Sequence, residues 1–569
     1  MNWTPHPLLC LYRTLDEPLR RYVDEVLLQE GYLATDRADL DGLVDLPALL
    51  EGRALLIVSA VTLAPAEIET LLGFVQAGGR AIFIRPDEHL IEALRLPLVA
   101  RPHRIYGDAP PAYLRLAAHP WTKHHADALI QIHAPVRTWR LDGAAPLAFA
   151  AANRTEHAGV AAVFEAPFGA GRLAVFQFDP GQSLVLTRQG DPRRASNSSW
   201  PREDAGILKP GTLFLNYLDP ELRHVPQADV LADLLVGVIR GLTDDLLPLA
   251  RVWHLPEDGA ALTLVDGDSD LYDWDCYREL VEPLLAAGIP YTLNLMPAHL
   301  RALDHATADA WQARGNDFQL HYHYTGQTPT VADLRQAVPE QQRLFVDTFG
   351  RCSVGSRAHS LLWPGYTEPA EIYAGHGARM ETNFMPFRAF QYGYCGSARA
   401  ARFARPDGTL INLSQQPTVF MDDPMSNDKS GLPARTPDEA YALMTRFYDE
   451  SATRYHGVLC TCLHPVPPGQ HDGFRAVQAA MRQAAIDGTR RHRLPALTMR
   501  DWCAFQEARR GLDLRLEDGA WQVAAGAAIG GLTVHLPAAA GVLRQGWTWR
   551  SQRMNLAGNE HQDVRQGPE

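Results

Sequence analysis

Three carboxylates stand two residues apart where an apolar run ends: ALTLV (261–265) leads into Asp266, Asp268 and Asp270. On an extended chain alternate side chains point the same way. Like charges so placed repel unless protons or a cation compensate them. Divalent-metal binding is therefore one reading. A solvated acidic loop turning at Gly267 is the plainer one. A second segment, DFQLHYHY (317–324), alternates Phe318, Leu320, Tyr322 and Tyr324 with Gln319, His321 and His323. Two imidazoles at i and i+2 can converge on one ion, and the apolar surroundings weigh against a mere surface pair. In SRAHSLLWPGY (356–366), Arg357 and His359 share the same spacing. An arginine beside a carboxylate keeps it ionised, and His359 could supply a third nitrogen ligand. Trp363 is either core or a platform for a sugar ring, and Tyr324 is a second candidate substrate contact. In GVLCTCLHPVPPG (457–469), His464 follows an apolar strand and precedes a Pro-rich loop, a usual position for a catalytic side chain.

These residues need a scaffold that places strand ends side by side. Between 261 and about 510 the apolar runs ALTLV, IPYTLNLM, DFQLHYHY, HSLLW, ARMETNF and GVLCTCL alternate with helical patterns. Such alternation predicts an α/β barrel or doubly wound sheet, whose sites lie at the carboxyl ends of the strands. Residues 1–245 predict a separate α/β domain. ALLIVSA (54–60) reads as a buried parallel strand. The helix PAEIETLLGFVQAGG follows, with Pro65 in its first turn, and then the strand AIFI (81–84). GRLAVFQFD (171–179) adds a strand, and ADVLADLLVGVIRGL (228–242) is an amphipathic helix. LTDDLLPLARVWHLPEDG (242–259) reads as a linker. Residues 512–569 read as a small β appendage with an untidy end after about 550.

The bulk numbers set limits. The chain has 569 residues, so two or three domains are expected. The net charge is −13 and there is no long basic run, which gives nucleic-acid binding no electrostatic support. Seven irregularly spaced cysteines do not make a disulfide framework. No apolar run reaches membrane-spanning length, and the start MNWTPHPLLCLYRTL lacks the features of a secretory leader. A cytoplasmic location without membrane association is the expectation, with a homo-oligomer open.

Taken in order, LTLVDGDSD, LHYHY, SRAHSLLWPG and CLHP resemble the motifs of the polysaccharide deacetylase (NodB-like carbohydrate esterase) superfamily over roughly 250–510. That family has a T-F-D-D-G strand end, a histidine motif, an arginine motif and a late Leu-x-His motif. The resemblance implies an irregular (β/α) barrel and a metal-dependent hydrolase. Here Val265 precedes Asp266 where the family has adjacent aspartates. This leaves two assignments: Asp266 as base with Asp268 as ligand, or Asp268 with Asp270. The first is preferred, with Asp270 the less favoured ligand. The family spaces its histidines four apart, and Thr325 stands four from His321. His323 or His359 must then complete the set.

The first domain, through GAGRLAVFQFDPGQSLVLTRQG, resembles a class I glutamine-amidotransferase-like, flavodoxin-like fold. The only cysteine before 276 is Cys10, within an apolar strand, so that domain is expected to be a non-catalytic scaffold. The implied function is deacylation of an N- or O-acylated carbohydrate by metal-activated water. One divalent ion, zinc for preference, is expected on Asp268, His321, His323 and His359. Asp266 would be the base, Arg357 its partner and His464 the acid. The alternatives are a carbohydrate-binding or assembly protein with a degenerate site, and a two-carboxylate glycosidase using Glu381 or Asp422.

Overall fold

A computed structural model describes residues 5–13, 18–43, 45–59, 62–94, 103–105, 112–138, 144–155, 160–196, 208–270, 274–324, 329–385, 391–427, 432–466 and 472–564. The protein is α/β, built around two large sheets. The apolar runs of the N-terminal part form a parallel set. Leu8–Tyr12 lies between Thr35–Asp39 and Leu55–Val58, followed by Arg80–Ile84 and Gly171–Phe176. An antiparallel meander of Val160–Phe168, Ala145–Ala151, Ala112–Leu116 and Leu129–Ile132 extends this sheet. The expected β-α-β unit around helix Pro65–Gln76 is present. The antiparallel half is an addition the periodicity did not separate.

The second sheet carries the residues singled out above. Its order is Ala401–Ala404, Leu410–Gln415, Met380–Glu381, Gly355–Ala358, Asp317–Tyr322, Tyr291–Leu295, Leu262–Asp268, Val458–Cys462 and Phe420–Met421. Its pairings are parallel except for the edge hairpin Ala401–Ala404 with Leu410–Gln415. Parallel strands present all their carboxyl ends on one rim. Leu262–Asp268 lies inside the sheet, third from one edge, and is entirely buried. The expected strand HSLLW is displaced. The strand is Gly355–Ala358, and His359–Leu361 is a single tight turn with Ser360 and Leu361 at φ of 57° and 54°. Non-glycine residues seldom hold that conformation unless their surroundings impose it.

The expected linker is structural. Arg251–Val252 pairs antiparallel with His535 and Val534 of the long strand Ile529–Arg544. The end expected to be untidy after 550 instead carries the strands Trp547–Leu556 and Glu560–Val564, because each has a partner to pair with. A buried polar knot ties the N-terminal, central and C-terminal segments together. Arg399 Nη1 stands 2.9 Å from Glu30 and 2.6 Å from Asp233, and Gln545 Nε2 donates to Glu30 at 2.9 Å. Breaking one partner of such a knot strands a buried charge. Among the described residues no helix is long and apolar enough to cross a membrane.

Candidate active site

The three aspartates form a gradient of exposure. The side chain of Asp266 is 0 % exposed, that of Asp268 4 % and that of Asp270 28 %. The spacing survives because Gly267 lies between the first two. A Cβ there would meet Leu463 O and Tyr291 Oη at 1.9 Å, and that tyrosine hydroxyl donates to Leu463 O at 2.6 Å. Glycine thus lets the neighbouring strand close onto the residue before His464.

Asp266 is committed to Arg357. Arg357 Nη2 donates to Asp266 Oδ2 at 2.6 Å and to Thr418 Oγ1 at 3.2 Å. Burial raises the Asp266 carboxyl, with the Arg357 guanidinium opposing. Asp268 lies opposite Asn294 in the neighbouring strand. Asn294 Nδ2 donates to Asp268 Oδ1 at 3.0 Å, and His321 Nδ1 stands 3.6 Å from that same oxygen. The other oxygen, Oδ2, faces His464 Nε2 at 3.7 Å and the Cys462 sulfur at 4.0 Å.

Asp270 meets two imidazoles. His321 Nε2 is 3.0 Å from Oδ1, and His359 Nδ1 is 3.2 Å from Oδ2. Burial alone would raise this carboxyl, but His321 and His359 hold it far below the usual range. Asp270 Oδ1, both His321 nitrogens and His359 Nδ1 are buried polar atoms that make no well-formed hydrogen bond. One donor atom from each of Asp270, His321 and His359 falls within 4.8 Å of the others. Orphaned buried donors aimed at one point fit a cation, since buried polar atoms otherwise find partners. His321 turns its second nitrogen toward Asp268, as metal-bound histidines usually do toward a carboxylate.

The ligand set expected from sequence is therefore redistributed. His321 and His359 come together, but with Asp270 and not Asp268. His323 lies just past the strand end, where alternation no longer orients it, with its ring 5.3 Å from that of His359. It belongs to neither metal-type cluster of this rim. Trp363 is fully buried, donates Nε1–H to Tyr366 O and stacks on Phe403, so it offers no open face. Tyr324 is half-buried and its hydroxyl pairs with that of Tyr373 at 2.9 Å.

His464 is held by a residue 42 positions earlier. Its Nδ1 stands 2.6 Å from Asp422 Oδ1, and its backbone N–H donates to Asp422 Oδ2 at 2.6 Å. Gln478 Nε2 donates to the same Asp422 oxygen. Burial works against a charged ring, but the Asp422 carboxylate prevails and raises His464 to about 10. In the sequence, Asp422 was a glycosidase candidate only. The signal for its present place is that it ends the apolar run TVFM (418–421), as Asp266–Asp270 end theirs. Asn294, Gln478 and Thr418 carry no comparable signal. Glu381 is sealed in the core, accepts from Asn383 N at 2.7 Å and is raised to about 8 by burial. It has no access to a sugar.

No family model matches the chain, and no curated protein matches it. Its neighbours among solved structures include carbohydrate deacetylases. Agd3, described as a carbohydrate deacetylase, aligns over 98% of both chains at 11% identity with a TM-score of 0.42. A mutant of a CE4-family pseudoenzyme with restored enzymatic activity aligns over 43% of this chain and 68% of its own at 9% identity, TM-score 0.27. A β-galactosidase from Rahnella sp. R3 shares 30% of this chain and 28% of its own at 18% identity, TM-score 0.24.

Proposed function

We propose that the protein is a metal-dependent hydrolase that removes an acyl group from an N- or O-acylated carbohydrate. The observation that carries the reading is the convergence of Asp270, His321 and His359 beside an imidazole already held by a carboxylate. The substrate class rests on the motif order of residues 250–510.

Asp270, His321 and His359 would hold one divalent cation, and a nitrogen-rich set with open positions favours zinc. Such an ion supplies a Lewis acid for the acyl carbonyl and makes water more acidic. The protein's own groups then divide the proton work. Asp268 is the base in place of Asp266, because Asp266 Oδ2 is bound to Arg357 while Asp268 Oδ2 faces His464 Nε2 at 3.7 Å. Asn294 donates to the other oxygen of Asp268, so Oδ2 is presented in one orientation. Asp268 takes the proton of the attacking water. His464, protonated at neutral pH, gives its Nε2 proton to the departing nitrogen or oxygen as the acyl bond breaks. Asp422 orients the ring and offsets its charge. Arg357 acts one step back, by neutralising Asp266 so that three adjacent carboxylates are tolerated.

The N-terminal domain is proposed as a non-catalytic scaffold. Cys10 is fully buried, and burial, then Asp24, push its thiol well up, which leaves it protonated and unreactive.

The test is acetate release from N-acetylglucosamine oligomers and from O-acetylated polysaccharide by the full chain, before and after chelation and zinc restoration. Release that stops on chelation and returns with zinc is expected. Release indifferent to chelation, or none from any acylated sugar by metal-loaded protein, would refute the reading.

A further inference from the structure

A second trio of ligand-type side chains lies on the other side of Asp268. Asp268 Oδ2, the Cys462 sulfur and a His464 ring nitrogen all fall within 4.8 Å of one another. Oδ2 is 3.7 Å from His464 Nε2 and 4.0 Å from Cys462 Sγ. Ligand atoms bound tetrahedrally at about 2.0–2.3 Å stand roughly 3.3–3.7 Å apart. Small side-chain adjustments would therefore bring these three onto one ion.

Two independent features point the same way. First, His464 Nδ1 is tied to Asp422, so Nε2 is the nitrogen presented to Asp268. A carboxylate on the far nitrogen is what orients a metal-binding imidazole. Second, Cys462 belongs to a separate buried apolar cluster with Leu361, Met385 and Met421. A dry wall bearing a thiol disfavours a strongly hydrated ion such as magnesium and favours a thiophilic one.

We infer that Asp268, Cys462 and His464 form a second, inhibitory site for a thiophilic divalent cation of the zinc class. Charge balance makes it feasible in a buried place. Before binding, the trio holds one carboxylate, one imidazolium and one neutral thiol, a net charge of zero. After binding it holds a carboxylate, a neutral imidazole, a thiolate and a dication, again zero. The cation replaces two protons, one from Nε2 and one from the sulfur, and both leave to solvent. Occupation engages the proposed base and acid together, so turnover stops. The inhibitory consequence rests on the hydrolase reading; the binding does not.

The experiment separates the two. Cadmium is titrated into the metal-stripped full chain and into Cys462→Ser and Cys462→Ala, following the ultraviolet thiolate-to-cadmium charge-transfer absorption. The exposed Cys352 is common to all three proteins and cancels. The wild type is expected to gain the absorption of one more thiolate ligand than either variant. His464→Ala should weaken that component at least tenfold. In the activity arm, excess zinc inhibits the wild type. Cys462→Ser needs at least tenfold more zinc for half-maximal inhibition, each protein being measured against its own uninhibited rate. Identical cadmium spectra in wild type and both variants would overturn the site. Equal zinc sensitivity, or a rate that rises with the second equivalent, would overturn its inhibitory role. A protein that shows the cadmium difference but hydrolyses no acyl sugar would keep the site and discard the hydrolase.

Discussion

His464 Nδ1 stands 2.6 Å from Asp422 Oδ1, and Asp422 also accepts the His464 backbone N–H. One carboxylate thereby fixes both the ring and its peptide, which allows Nε2 to act as a directed proton donor. Asp422→Asn removes the charge that holds the ring near 10. An acid must be protonated to act, so activity falls as pH rises through its pKa. The alkaline limb of the kcat profile, near pH 10 in the wild type, should move down toward about 6.5 in Asp422→Asn. An unmoved limb would show that His464 is not the acid.

Ligation and proton transfer separate in two alanine variants. His321→Ala should lose both bound metal and turnover, because a ligand of the cation is gone. His464→Ala should keep near-stoichiometric metal and lose roughly 10²–10⁴ in rate. The loss should be greater on amides than on activated aryl esters, whose leaving groups need little protonation. Metal analysis with paired kinetics decides it, and equal losses on both substrates would point to a structural role for His464.

Arg357 and Asp266 are both fully buried. Arg357→Met leaves a buried carboxylate without its cation, which typically costs about 3–5 kcal/mol. Arg357→Met with Asp266→Leu should recover much of that loss while remaining impaired in turnover. Urea denaturation of the single and double variants measures it. A double variant no more stable than Arg357→Met would mean that the pair is not coupled.

His535 ties the C-terminal sheet to the linker through Asp258 at 3.0 Å. Burial, only partly opposed by Asp258, lowers its pKa to about 4. The unfolded chain takes up this proton below about pH 6.5, the folded chain only near pH 4. Across that window the unfolded state binds more protons, so stability decreases as the pH is lowered, by up to about 1.4 kcal/mol per pH unit from this residue alone. His535→Asn should flatten the pH dependence of the urea midpoint between 6.5 and 4. An unchanged slope would place the acid sensitivity elsewhere.

Cys10→Ala should leave hydrolase activity per folded molecule unchanged, since the thiol is buried within the strand Leu8–Tyr12. Loss of activity in a variant with an unaltered melting profile would contradict a scaffold role for the N-terminal domain.

The sequence by itself determined the candidate strands and the order of their polar ends. Apolar runs ending in Asp266–Asp270, His321 and His464 are local patterns. A buried strand must be apolar along its length, and its first polar residues must mark the rim. The α/β character followed from the same periodicity. Only the tertiary structure decided which carboxylate does what. Alternation gives Asp266, Asp268 and Asp270 one orientation, so no local rule separates them. Arg357 from three strands away claims Asp266, Asn294 in the adjacent strand steadies Asp268, and His321 with His359 meet at Asp270. Past a strand end the alternation lapses, which is why His323 could not be oriented from spacing and why His359 is delivered by a tight turn at Ser360. The Asp422–His464 pair and the burial of Trp363 depend on strands and helices that are distant in sequence and adjacent in space. Contacts of that kind are fixed by packing of the whole chain, and a local pattern holds no record of them.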